Sequence, residues 1–398
     1  MIKKSSRVIC LGVLCAVLIA LNACSEPPSD ISATDNAVQI LSGIHQNRNY
    51  VYYSFFQTNN FRYNTNTSEF SYVCIDPTCD HSKDCPLYDS DIAFVAKDRL
   101  YLRGTYYGKG IDSQYYGYYD LTDGTKKILR DCTVEESYGG YPVTDGEYIY
   151  YTYKKLRENG DKDNAEDYIP AVFRMHLDGG TEQFLTYMSG ENAQLCFAAN
   201  GRLIFMASNT LFSTNPDGSD KKTIYDGEYV IVMDSMHLYG DHIYILAADG
   251  SSETRLDGKE VFKRKLLRVN IDTGEYNELL SDHVGAFVMN NEKIYYYPYK
   301  LNYLYIPEDL EKQMCEVYTA DYDMWCCELD GSDPQKLFDY ENLLISQISC
   351  LNGKIYGLFR TFDETTLEKS APMFMCIDLT DGKTQVIADM SDYFNFVQ

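Results

Sequence analysis

Inside short runs of this chain apolar and polar positions alternate, and the runs recur. "NYVYYSFF" at 49, "DRLYLRG" at 98, "GEYIYYTY" at 146 and "GRLIFMAS" at 201 share one layout with "DHIYILAA" at 241, "EKIYYYPY" at 292 and "GKIYGLFR" at 353. Each opens on a polar turn and continues as a tyrosine-rich strand. The aligned ring positions Tyr52, Tyr101, Tyr150, Phe205, Tyr244, Tyr295 and Tyr356 fall 39 to 61 residues apart. Self-similarity at such a period marks a repeat architecture. A strand pair joined by a tight turn follows each run: "DLTDGTKKIL", "HLDGGTEQFL", "NPDGSDKKTI", "NIDTGEYNELL", "ELDGSDPQKL" and "DLTDGKTQVI", with "YNTNTSEFSYV" in the first unit. Asp-Gly and Thr-Gly supply the positive φ that two-strand turns demand. With a leading strand such as "AFVA" or "LCFAA", each unit holds four short strands.

Seven such units, with no comparable helical period after the N-terminal segment, predict an all-β chain: a seven-bladed β-propeller of four-stranded antiparallel blades. Radial closure hides the sheet edges that a stacked solenoid leaves open. The ring is expected over 37–398, with blades at 37–85, 91–133, 138–188, 193–228, 230–282, 284–340 and 345–390, leaving no room for a second domain. The C-terminal "DYFNFVQ" is a candidate to pair with the first blade and close the ring.

The N-terminus breaks this pattern. Lys3, Lys4 and Arg7 precede an apolar run from Val8 to Leu21, the layout of a secretory signal. The run is shorter than the roughly 20 apolar residues of a bilayer span. Leu21-Asn22-Ala23-Cys24 resembles the bacterial lipobox, so residues 1–23 read as a lipoprotein signal peptide and Cys24 as the lipidated residue. Residues 24–36 then form a flexible tether, "SEPPSDISATDN" after the cysteine. Acyl chains on Cys24, palmitate among them, would hold the protein on the outer face of the plasma membrane. The expected location is extracytoplasmic and lipid-anchored.

Charge narrows the partners. The formal net charge is −24, and removing the signal takes away three cations more. Nucleic acid needs Lys/Arg neutralisation of its phosphates, so it is excluded as a partner. Adsorption to anionic lipid is disfavoured too, which leaves the anchor to supply membrane association. With Cys10 and Cys15 removed and Cys24 acylated, ten cysteines remain in a compartment that permits disulfides.

Candidate chemistry concentrates in "YVCIDPTCDHSKDCPLY" at 72–88, where Cys74, Cys79, His81 and Cys85 stand as C-x4-C-x-H-x3-C. Three thiols and an imidazole suffice for tetrahedral zinc. A disulfide among the three cysteines, with Cys132 as a partner from the next blade, is the competing reading, and a redox or cluster role a third. The segment follows the last strand of the first blade. It is therefore expected on the face that carries the insertions at 155–170, 249–264, 298–322 and 361–371. Long loops on a rigid scaffold are where binding resides. The insertion 298–323 offers Tyr299, Tyr303, Tyr305, Glu308, Asp309 and Tyr318 as a binding face, since tyrosine gives amphipathic contact area at low entropic cost.

Catalytic signatures are missing. There is no G-x-S-x-G, no H-E-x-x-H and no G-x-x-x-x-G-K-[ST]. Propellers of prolyl-oligopeptidase-like enzymes rely on a separate hydrolase domain. "ENGDKDNAED" at 158 resembles a calcium loop with its glycine and closing glutamate misplaced. The lipobox, the I-Y-Y strands, the D-G-x-x-x-x-L hairpins and the C-x-D-P-x-C-x-H-x-x-x-C-P segment together resemble lipoproteins of anaerobic Gram-positive bacteria with a TolB-like or YWTD-like propeller. That resemblance implies the fold and brings no established activity. The expected function is a binding or scaffold module for a protein or peptide of the cell envelope. The alternatives are a glycosidase or lyase with carboxylates in the propeller funnel, and a metal-dependent sensor or assembly factor using the Cys/His loop.

Overall fold

Short turns between alternating strands set the architecture. The computed structural model describes residues 38–39, 43–55, 59–82, 84–106, 113–137, 140–161, 164–188, 193–207, 209–227, 229–254, 260–281, 284–290, 292–298, 323–340, 343–361 and 370–391. Among these lie seven antiparallel sheets, each a meander of four consecutive strands, here A to D. Blade 1 comprises Ile44–Asn47, Tyr50–Phe55, Asn59–Asn64 and Glu69–Tyr72; the others span 90–131, 143–187, 194–225, 230–280, 284–338 and 343–389. The A strands of blades 1 to 4, of blades 5 to 7 and of blades 7 and 1 touch one another in sequence, so A lies innermost and D outermost. The chain is a seven-bladed β-propeller.

The two faces of the ring differ. On one, A meets B through two-residue turns such as Asn200-Gly201 and Asn352-Gly353, all four residues at positive φ. C meets D on the same face through the recurring glycine turns. On the other face lie the B–C connections and the links between blades. In blade 5 the expected insertion at 249–264 is largely strand: B (His242–Thr254) and C (Glu260–Asn270) continue past a bulge and still pair at Ser252↔Phe262 and Thr254↔Glu260.

The turn glycines have a second task. A Cβ at Gly331 would lie 2.9 Å from the Leu279 carbonyl oxygen, and one at Gly382 2.3 Å from the Phe338 ring, in each case on strand D of the preceding blade. Gly179, Gly218 and Gly274 approach the preceding D strand in the same way. Asp-Gly therefore serves both the turn and the close packing of blade on blade.

The abundance of tyrosine, 37 in all, has its reason at the same interfaces. Tyr53, Tyr101, Tyr116 and Tyr151 are fully buried. Three of the hydroxyls reach across: Tyr101 donates to the Leu177 carbonyl at 2.8 Å, Tyr116 to that of Thr152 at 2.6 Å, and Tyr53 to Gln347 Oε1 at 3.0 Å, while Tyr151 donates to Glu182 within its own blade. An apolar ring with a satisfied polar tip is the residue such a seam needs.

Blades 7 and 1 meet without exchanging a strand among the described residues. Tyr53 stacks on Phe374 with ring centroids 4.9 Å apart, and Gln385 Nε2 donates to the Tyr63 hydroxyl at 3.3 Å. The C-terminal segment considered for closure, 392–398, lies outside the described residues. One strand does leave its neighbourhood. Val38–Gln39 adds to the free inner edge of strand A of blade 5 (Val230–Tyr239), antiparallel, with Val38 opposite Leu238 and Gln39 opposite His237.

Candidate metal centre

After strand D of blade 1, two side-chain-capped turns shape the connector. Asp76 Oδ1 accepts the Thr78 N–H at 2.8 Å and its hydroxyl at 2.7 Å, and Asp80 Oδ1 accepts the Ser82 N–H at 3.0 Å. His81 sits in the left-handed region at φ 57°. These bends bring Cys74, Cys79, His81 and Cys85 together, with one ligand atom from each lying within 4.8 Å of all the others. Cys74 and Cys85 are buried, Cys79 and His81 half-buried.

The His81 N–H points to Cys79 Sγ at 3.4 Å, and the backbone at Asp76 and Leu87 acts on the Cys74 and Cys85 thiols to favour their charged forms. The Tyr119 hydroxyl, from strand C of blade 2, accepts the Ile75 N–H at 3.1 Å and interacts with the Cys74 thiol. The His81 ring stacks on Tyr72 with centroids 3.9 Å apart, and its Nδ1 is buried with no hydrogen-bond partner. Burial raises the Cys74 thiol pKa and pushes Cys85 up to about 12, while it lowers His81. The uncharged forms are favoured there until a cation enters and inverts that balance.

The structure wedges the buried residues of this inter-blade link between blades 1 and 2. Cys74, Cys85 and Leu87 pack with Tyr52 of blade 1 and with Ile92, Leu100, Leu102 and Tyr119 of blade 2. Asn60 Nδ2 ties down the far end, donating to the Leu87 carbonyl at 3.1 Å and that of Ser90 at 2.8 Å. Val73 and Leu87 are the physical reason, since both are apolar and almost wholly buried. Cys132 does not join the group; it packs one interface further on, with Tyr101, Tyr116 and Ile149. The nine described cysteines are all free thiols.

Sequence reasoning missed Tyr119, Asn60 and Gly124, whose Cβ would meet Ile75 at 2.8 Å. The tyrosine-rich strand of Tyr119 and the Asp-Gly turn of Gly124 were visible, but Ile75, which both meet, stands 44 residues before Tyr119 in another blade, and Asn60 reaches carbonyls 27 and 30 residues on. The other predicted positions, Cys24, Tyr299, Tyr303, Tyr305, Glu308, Asp309 and Tyr318, lie outside the described residues. Among the described side chains the A strands carry one carboxylate, Asp91, which accepts the Tyr141 hydroxyl at 3.1 Å.

Fold and site thus define a seven-bladed propeller with a Cys3His cluster in its first inter-blade wedge. No family profile matches the sequence, and no curated protein does. Solved structures resemble it in fold. A prolyl endopeptidase has a TM-score of 0.54 at 14% identity, over 96% of this chain and 54% of its own. A puromycin-hydrolyzing peptidase from Mycobacterium tuberculosis has 0.52 at 10%, over 92% and 55%. Oligogalacturonate lyase from Vibrio parahaemolyticus has 0.48 at 11%, over 82% and 92%. The chain spans about half the length of these peptidases. At such identities the likeness is one of fold alone.

Proposed function

We propose that the protein is a binding module of the cell envelope, held to the membrane through Cys24, which presents its B–C face to a protein or peptide partner. The observation that carries this reading is the Val38–Gln39 pairing. Strand A of blade 5 runs from the B–C face towards the A–B turn at Gly240, so its antiparallel partner runs from the short-turn face inward. A tether joined at Val38 therefore starts from the short-turn face. The short-turn face offers only tight turns, whereas the B–C face, with the extended hairpin of blade 5, carries the elaborated loops on which binding usually rests.

Within the residues present, no G-x-S-x-G stands to supply a serine nucleophile, so the binding reading is the one the propeller itself supports. Two probes test the proposal in a host that processes lipoproteins. Photo-crosslinking residues at Glu158, exposed on the B–C face, should capture a discrete envelope protein, and residues at Asn200, exposed on the short-turn face, should not. Cys24→Ala should abolish palmitate incorporation and release the protein from the membrane fraction. Equal capture from both faces, or unchanged membrane recovery of C24A, would sink the proposal.

A further inference from the structure

We propose that Cys74, Cys79, His81 and Cys85 bind one zinc ion in a closed four-coordinate site, and that the ion fixes the connector as a key between blades 1 and 2. Three observations converge. The four donor atoms already lie within 4.8 Å of one another. Zinc at about 2.3 Å from sulfur and 2.0–2.1 Å from nitrogen sets donors roughly 3.5–3.8 Å apart, so the cluster need tighten by only about 1 Å. The Cys79 sulfur faces the His81 N–H at 3.4 Å. Such a bond is weak to a neutral thiol and strong to a thiolate, so it favours sulfur carrying negative charge. Finally, His81 Nδ1 is buried and unpartnered, although buried polar atoms normally find a partner. A metal ion on its lone pair supplies one.

The donor set chooses the ion and the role. Three thiolates and an imidazole suit a borderline-soft ion of tetrahedral preference. Four protein donors leave no open position for water or substrate, which makes the site structural. Binding sends three thiol protons to solvent, forms three Zn–S bonds and one Zn–N bond, and changes no oxidation state. The resulting single negative charge lies within range of the Lys126 ammonium, which interacts electrostatically with Cys85. Tyr119 links the site to blade 2, because its hydroxyl accepts the Ile75 N–H, one residue after Cys74, and interacts with the Cys74 thiol. It is a positioning residue, not a ligand.

The test uses the mature full-length protein, extracted from membranes without chelator and, in a parallel sample, without reductant. Zinc should be present at about one ion per chain, and exchange for cobalt(II) should give the intense bands of a tetrahedral thiolate complex. Three thiols should resist alkylation until a chelator is added. Cys79→Ser and His81→Ala, both at half-buried positions, should lower zinc affinity at least tenfold, and Cys350→Ser should leave it unchanged. Tyr119→Phe keeps every ligand and should still weaken binding about 10–100-fold. Hydrogen exchange over residues 73–89 should quicken when zinc is removed from the folded wild type, a readout independent of any variant's folding. The proposal falls if the folded, reduced wild type holds less than about a tenth of an equivalent after zinc is supplied, if cobalt gives no tetrahedral spectrum, or if unreduced protein carries a disulfide between any two of Cys74, Cys79 and Cys85.

Discussion

Replacing Gly331 with alanine tests whether the turn glycines hold blade on blade or only permit the turn. Gly331 has φ 83°, and its added Cβ would lie 2.9 Å from the Leu279 carbonyl oxygen, 3.0 Å from Leu279 Cβ and 3.1 Å from its Cα. None of these atoms can rotate away, since two belong to the backbone of strand D of blade 5. The left-handed conformation alone costs an alanine about 1–2 kcal/mol. Forcing the two blades apart adds about 1–3 kcal/mol, the usual cost of overpacking. Gly353 provides the control, because it has φ 71° in an A–B turn and nothing within 4 Å of its added Cβ. Gly353→Ala should therefore lose only the conformational part. Urea unfolding of both variants, followed by tyrosine fluorescence and circular dichroism, gives the comparison. Gly331→Ala should be the less stable by at least about 1 kcal/mol, and amide exchange should quicken in 276–280. Equal losses in the two variants would refute the second role and leave Asp-Gly as a turn device only.

Acid should destabilise the fold through His237, which is buried on strand A of blade 5 against Phe287; burial lowers its pKa to about 3. Above about pH 6.5 the folded and unfolded states are both neutral there, whereas below it only the unfolded state takes the proton, so stability is lost as pH falls from about 6.5 towards 3, by about 5 kcal/mol in full; His237→Leu should flatten that part of the curve in denaturation measured from pH 7 to 4. Phe374→Ala removes a fully buried ring that stacks on Tyr53 across the seam of blades 7 and 1. It should cost about 3–5 kcal/mol and speed exchange in 50–55 ahead of 202–207 in blade 4, and a uniform loss of protection would contradict a localised seam.

Much of the ring could be read from the chain because each blade repeats one chemical pattern. Tyr101 and Tyr244 occupy the same place in their units and do the same thing, each sending its hydroxyl to a carbonyl of the next blade, Leu177 at 2.8 Å and Leu329 at 3.2 Å. What escaped the reading carries no pattern. The extension of blade 5 through Ser252↔Phe262 lies in "DGSSETRLDGKE", which has no apolar alternation to announce a strand. Val38–Gln39 is two residues long, too short for any period, and its partner lies about 200 residues away. The donor types of the Cys/His segment were plain from the sequence. Its place in the fold was not, because that depends on Tyr119 and Gly124 in another blade.

That place explains why such chemistry stands at the first interface. At the five interfaces from blade 2 to blade 7 the turn glycine of each blade lies against a strand D held by its own ladder, as Gly274 does against Thr223 and Ile224. Between blades 1 and 2 the equivalent contact falls beyond the ladder. Strand D of blade 1 ends at Tyr72, and Gly124 meets Ile75, whose N–H goes to the Tyr119 hydroxyl in place of a strand partner. A backbone without ladder bonds must be fixed by other means if it is to bear the same packing. Blade 1 needs this more than the rest, since its other flank is the seam with blade 7, where no connecting chain helps. A four-donor knot one residue before Ile75 supplies that rigidity where strand pairing stops. On this argument the cluster belongs to the ring's own mechanics, and loss of its ion should first loosen blade 1.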